Sequence, residues 1–272
     1  MGKVGFSLTS LKRVLPLKAL DIAKEKGAEV VELFGDLSVI LKGLGAQDPE
    51  KIRKKAEKYN IFLTMHLPMI DINLASLNDL IYESSIESTF KALEYARRCG
   101  VKLVVVHPGL VPARHFLVIL LAKRRLIRAL EKIINLGEKY NIKIAIENTA
   151  LDKKDLFLKV SHFKKFVLSF KGKLSVCFDF GHAMVSKDGL AKTWNELKPF
   201  ISHIHIHDNH GREDEHLPLG EGIIDFSLYW EELRNFDGTI VLEVNDSNRK
   251  MKGLWESLQK LKNLEGGENP LP

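Results

Sequence analysis

Short β-branched runs alternate with longer amphipathic stretches along the whole chain. Continuous or period-2 apolar runs read as strands, and stretches of 3.6-residue period as helices. The strand-like runs fall at residues 4–8, 30–34, 62–66, 103–107, 143–147, 174–179, 203–207 and 239–243. Several are apolar at consecutive positions (LVVVH, IAIE, IVLE), as strands covered on both faces are. Helical stretches lie between them at 16–26, 49–59, 81–99, 119–140, 161–170 and 254–262. In EKGAEVVEL, EKYNIFLTM, RRCGVKLVV and EKYNIKIAI, Gly or Asn follows a charged last turn, which predicts a helix C-cap before the next strand. Eight strands alternating with helices, with no shift in composition to mark a linker, predict an α/β fold, a single (β/α)8 TIM barrel over residues 1–264. A doubly wound open sheet is the competing arrangement. Only residues 265–272 (EGGENPLP) read as a disordered tail.

Composition narrows the setting. Of 272 residues, 45% are apolar and 28% charged, which excludes wholesale disorder. No stretch reaches the roughly 18 apolar residues of a membrane helix; the longest run, residues 116–122, is closed by Lys123, Arg124 and Arg125. The opening MGKVGFSLTS has no apolar run before a cleavage site, so no secretory signal is expected. Cys99 and Cys177 are too few for a disulfide framework. A cytoplasmic protein without a membrane partner is therefore expected. The net charge of +6 suits a phosphate-bearing partner without requiring one.

The chemistry collects at strand ends. His66, His107, Glu147, Asp179, His205, His207 and Glu243 all end apolar runs, and barrel strands converge at their C-terminal ends. Asp179 and His182 form a D-x-x-H pair on a strand-to-helix turn, and the loop after the seventh strand holds Asp208, Asp214 and His216. A lone strand-end histidine would be structural. Many carboxylates and imidazoles crowded at the ends of buried strands need a neutralising partner, and a divalent metal is the natural one for mixed His and carboxylate donors. No G-x-G-x-x-G, Walker A or G-x-S-x-G is present, and Cys177 lies within a strand.

These residues together resemble the xylose-isomerase-like TIM barrels, the AP endonuclease family 2 superfamily, over nearly the whole chain. One branch, the endonuclease IV type, cuts DNA at abasic sites with three zinc ions in DNA repair. The other holds sugar and sugar-phosphate isomerases and epimerases, which use one metal. The endonuclease IV motifs fall at His66 in HLPMIDINLA, His107–Pro108–Gly109, Glu147–Asn148, Asp179 with His182, His205 with Asp208, Asp214 and His216 followed by Leu219–Gly220–Glu221–Gly222, and Glu243. The resemblance implies Zn2+, up to three ions. Glu147 would bridge two, with His66 and His107 completing one and Asp179, His205 and Glu243 the other; His182, Asp214 and His216 would hold the third. It also implies Glu147, Glu243 and His182 as catalytic, with His207, Arg212 and Asn148 against the substrate, His207 facing it or backing the ligands.

Two departures stand out. Met69 takes the place of a DNA-wedging tyrosine, and the second-strand loop FGDLSVILKGL has no arginine. Glu32, at the second strand's end, is similar to the isomerase branch. That branch would use Glu147, Asp179, His205 and Glu243 as ligands of Mn2+, Mg2+ or Zn2+, with His182 near the sugar and Arg212 on a hydroxyl or phosphate. The first expectation is a zinc phosphodiester hydrolase acting on abasic DNA or a related phosphoester. The alternative is a metal-dependent sugar or sugar-phosphate isomerase or epimerase.

Overall fold

Eight parallel strands, β1 (Lys3–Ser7), β2 (Val30–Phe34), β3 (Phe62–His66), β4 (Leu103–Val106), β5 (Lys143–Glu147), β6 (Ser175–Asp179), β7 (Ile201–Ile206) and β8 (Thr239–Leu242), pair in chain order and close on themselves. Closure joins the first strand to the last, with Lys3 opposite Thr239 and Phe6 opposite Leu242. The expected barrel is thus observed, and the open sheet is set aside. The computed structural model describes residues 1–11, 14–36, 47–149, 153–246 and 251–265. Most of the second-strand loop (37–44) and nearly all of the expected tail (266–272) lie outside the described residues.

The surrounding helices are α1 (Pro16–Lys26), α2 (Pro49–Tyr59), α3 (Asp79–Cys99), α4 (Phe116–Tyr140), α5 (Val160–Leu168), α6 (Phe180–Val185), α7 (Leu190–Leu197), α8 (Trp230–Asn235) and α9 (Lys252–Glu265). The four Gly and Asn stop signals act as expected. Gly27, Asn60, Gly100 and Asn141 all end their helices in the left-handed region, at φ of 68°, 55°, 81° and 55°. α3 starts two residues before the apolar periodicity because Asn78 caps it, its side chain accepting from the Leu80 and Ile81 amides. α9 extends to Glu265, the first residue of the expected tail. The short helices α6, α7 and α8 are additions to the sequence reading. Phe180 of α6 packs against Trp194 of α7 and against Tyr229 and Phe226 just before α8.

The main apolar core lies between barrel and helices, where Phe6, Phe178, Phe180 and Phe226 are fully buried. The barrel interior differs. Leu103, Val105, Ala145 and Cys177 form a separate small apolar group, and Glu32, Thr64 and His203 are buried polar residues. Because side chains alternate along a strand, this interior is one layer below the cleft face of the same strands. Among the described residues no helix is long and apolar enough to cross a membrane.

Candidate metal centre

The strands deliver their polar residues to one end. His66, Glu147 and Asp179 are the last residues of β3, β5 and β6; His107, His207 and Glu243 follow β4, β7 and β8 immediately. His205 sits one residue inside the end of β7, and Glu32 in the middle of β2 rather than at its end. The resulting cleft encloses about 420 Å³ and is lined by Thr9, Phe34, His66, Met69, His107, Glu147, Thr149, Asp155, His182, Asp214, His216 and Glu243.

Ligand atoms meet there in groups able to hold a metal ion. In the first, the Nε2 atoms of His66 and His107 face each other at 3.2 Å, and both face Glu147 Oε2, at 3.3 and 2.8 Å. In the second, His205 Nδ1 lies 3.1 Å from Glu147 Oε1, 3.7 Å from Glu243 Oε2 and 3.9 Å from Asp179 Oδ2. In the third, Asp214 Oδ2 lies 3.3 Å from His182 Nε2 and 3.0 Å from His216 Nε2. The nine residues expected as ligands thus converge, with Glu147 shared between the first two groups. His207 joins the third group.

The imidazoles are oriented for ligation. His66 Nδ1 pairs with the Leu67 carbonyl at 2.8 Å, His182 Nδ1 with that of Asn148 at 3.1 Å, and His216 Nδ1 with that of Glu243 at 2.7 Å. A carbonyl only accepts, so each Nδ1 carries a proton and each Nε2 is the nitrogen turned to the cleft, where a cation would take the place of its own proton. The donor set fits a divalent cation on a second ground. Asp214, which lines the cleft, has its Oδ1 buried without a hydrogen-bond partner, and unpaired buried polar atoms are costly.

Without cations, protons do the neutralising. Burial opposes charge on His66, but the bond to Glu147 and its charge lift the ring to about 9. Burial likewise opposes charge on His182 and His216, yet Asp179 and Asp214 raise the former to about 10, and Asp214 and Glu243 the latter to about 9. Glu147, despite burial, is held well below the usual carboxylate range by His107 and His205.

The long loop after β7 is held by a residue that motif matching treats as part of the site. Asp208 is fully buried and accepts from four backbone amides: Asn209 at 2.9 Å, Gly220 at 3.0 Å, Gly222 at 2.9 Å and Ile224 at 3.1 Å. The L-G-E-G element supplies two of these amides, from Gly220 and Gly222. A Cβ on Gly222 would stand 2.3 Å from both Asp208 Oδ1 and the Asn209 carbonyl. Gly181 of the D-x-x-H turn likewise leaves room for His207, whose ring a Cβ there would meet at 1.9 Å.

Not every expected site residue reaches the cleft. Asn148 spends its amide on the Asp179 backbone, accepting at 2.9 Å and donating to its carbonyl at 3.0 Å. His207 is fully buried, stacked on His216 at 4.0 Å with Nε2 3.2 Å from Asp179 Oδ1, so it backs the ligands rather than facing the cleft. Arg212 is exposed and does not line the cleft. Thr9, Phe34, Thr149 and Asp155 line it without a motif to announce them.

Comparison with known proteins adds to this geometry. A family model described as xylose isomerase-like TIM barrel matches residues 20–264. An uncharacterized protein of Methanocaldococcus jannaschii is 30% identical over 209 residues, 77% of this chain and 80% of its own. A protein named Probable endonuclease 4 from Aquifex aeolicus is 26% identical over 226 residues, 76% of this chain and 79% of its own. Among solved structures, a D-tagatose 3-epimerase-like protein superposes with a TM-score of 0.79 at 27% identity, covering 96% of this chain and 98% of the other.

Proposed function

The chain belongs to the xylose isomerase-like TIM barrel family, and from that premise we propose that it is a zinc-dependent phosphodiester hydrolase of the endonuclease IV kind, acting on abasic DNA or a related phosphoester. The observation that carries this reading is the third donor group. His182, Asp214 and His216 converge beside the two groups that share Glu147, which a one-metal isomerase does not require. When bound, divalent cations supply Lewis acidity that neutralises phosphoryl charge and acidifies water. His66, His107 and Glu147 would hold one, Glu147, Asp179, His205 and Glu243 a second, and His182, Asp214 and His216 a third.

The chain's own residues complete the site. Glu243 is nearly buried at the cleft, with Oε1 3.5 Å from Thr9 Oγ1, and its carboxylate can take a proton from attacking water. Met69 and Ile70, 43% and 50% exposed after β3, offer an apolar edge to an unstacked base or sugar. On the adjoining rim, Arg114 donates to the Asp155 carbonyl at 2.6 Å. Burial, then the charges of Lys123, Lys159, Lys165 and Arg114, lower the pKa of His162, near the start of the helix after β5. Arg114, held on cleft-lining Asp155, and these neighbouring cations suit a phosphate backbone.

The alternative, a sugar isomerase or epimerase, is favoured by the 27% identity to the D-tagatose 3-epimerase-like protein. In it Glu147 and Glu243 flank the sugar and pass a proton between faces. Two measurements together decide. Near three metals per chain in protein purified without chelator, with cleavage of an abasic duplex at low salt, supports hydrolysis. About one metal per chain, intact abasic DNA and interconversion of a ketose overturn it.

A further inference from the structure

His205 is a fully buried candidate ligand, and its two ring nitrogens face different partners. Nδ1 faces the second donor group, while Nε2 lies 2.9 Å from Glu32 Oε1. Glu32 is fully buried and is not among the residues lining the cleft, although one of its oxygens comes within 4.8 Å of a carboxylate oxygen of Glu243, which does line it. Its other oxygen accepts from Thr64 Oγ1 at 3.0 Å and lies 3.0 Å from His203 Nε2, which is out of line for a hydrogen bond. His203 is in turn held through Nδ1, 2.5 Å from Thr239 Oγ1. The assembly joins β2, β3, β7 and β8 inside the barrel, one layer beneath the cleft. Nothing in the proposed chemistry uses it, yet a buried carboxylate persists only where a specific partner needs it.

We propose that Glu32 is a positioning residue for His205: by accepting from Nε2–H it fixes the tautomer that aims the Nδ1 lone pair into the metal centre. Thr64 holds Glu32 itself in place by donating to its other oxygen, with the His203 ring, fixed by Thr239, packed beside it. His66, His182 and His216 are pinned by backbone carbonyls, which are neutral acceptors. His205 is pinned by a carboxylate, which also makes its free nitrogen a stronger donor. The consequence is a ranking: the ion held by His205 is bound more tightly than a carbonyl-pinned set would allow. This inference rests on the metal-centre reading but not on which reaction the centre serves.

The test is cobalt(II) binding by the full chain, read by chelator competition and by the visible absorption of the bound ion. Glu32→Gln keeps the shape but lets the amide nitrogen donate to Nε2, which moves the ring proton to Nδ1, onto the metal side. The expected result is an affinity for the tightest cobalt lower by about 10–100-fold, with altered absorption bands. Thr64→Val loosens Glu32 while preserving volume, and a smaller loss in the same direction is expected even if Glu32→Gln folds poorly. Wild-type cobalt affinity and spectrum in folded Glu32→Gln, or in Thr64→Val where Glu32→Gln does not fold, overturns the inference alone. A wild-type protein that binds no cobalt overturns the metal-centre reading, and this inference with it.

Discussion

A single carboxylate, Glu147, lies within 3.4 Å of nitrogens on His66, His107, His182 and His205 at once, so removing its charge disturbs two donor groups together. Glu147→Gln is expected to abolish turnover and to lower bound metal by at least one ion per chain, read by elemental analysis. Wild-type turnover in that variant contradicts the assigned role. Asp214→Ala combined with His216→Ala empties most of the third group. Loss of one Lewis-acid contact to the reacting phosphate is expected to slow abasic-site cleavage by roughly two orders of magnitude or more. A loss below about tenfold would favour the isomerase alternative. At this scale the sequence is legible for the residues that converge at the cleft, because a carboxylate or imidazole ending an apolar strand is costly to bury unless a cation or a partner meets it. It is poorly legible for Asn148 and Asp208. Their side chains serve the backbone, and all but one of the amides they satisfy, that of Asn209, come from residues 12 or more positions away.

The elements differ in how plainly they announce themselves. α3 and α4 run for 21 and 25 residues, long enough for several turns of apolar periodicity, whereas α6 and α8 have six residues each and start almost at a strand end or a 3₁₀ turn. Fewer than two helical turns carry no period to detect, and Asp179 accepting from the His182 amide at 2.7 Å is the only local start signal for α6. Two tests belong here. Asn78→Ala removes the cap of α3 and should cost about 1 kcal/mol in chemical denaturation with metal content unchanged. Gly222→Ala should loosen the loop that carries Asp214 and His216, lowering metal stoichiometry by about one ion while the other two groups persist. Full stoichiometry in that variant would show that the Asp208 knot does not place the third group.

For the whole molecule, the balance of protons and cations sets the response to pH. His66, His182 and His216 stand at about 9, 10 and 9 against an ordinary 6.5. In metal-free protein, their contribution to stability is full below about pH 6.5 and is lost as pH rises through 9 to 10. Bound cations replace those protons, so the rise in Tm on adding zinc is expected to grow between pH 6.5 and 9. Calorimetry showing a shrinking increment over that range contradicts the protonation described for the metal-free centre. The cation cluster is tested separately: Lys123→Ala with Lys159→Ala should reduce the salt dependence of duplex binding by about two units of slope, with metal content unchanged. An unchanged slope would remove the cluster from the DNA path.

Closure of the barrel by β1 against β8 also fixes an order of events during synthesis. Glu243 follows the last strand, and the second donor group needs it together with Asp179 and Glu147 from the middle of the chain. Every strand but the last can emerge from the ribosome and pair with its neighbour while this part of the centre still lacks a ligand. Long-range pairing of first and last strands is also the slowest contact for a chain to find. On the metal-centre proposal, tight capture of a cation at the second donor group would come only after closure, and an unfinished chain would carry an immature centre that cannot yet be armed.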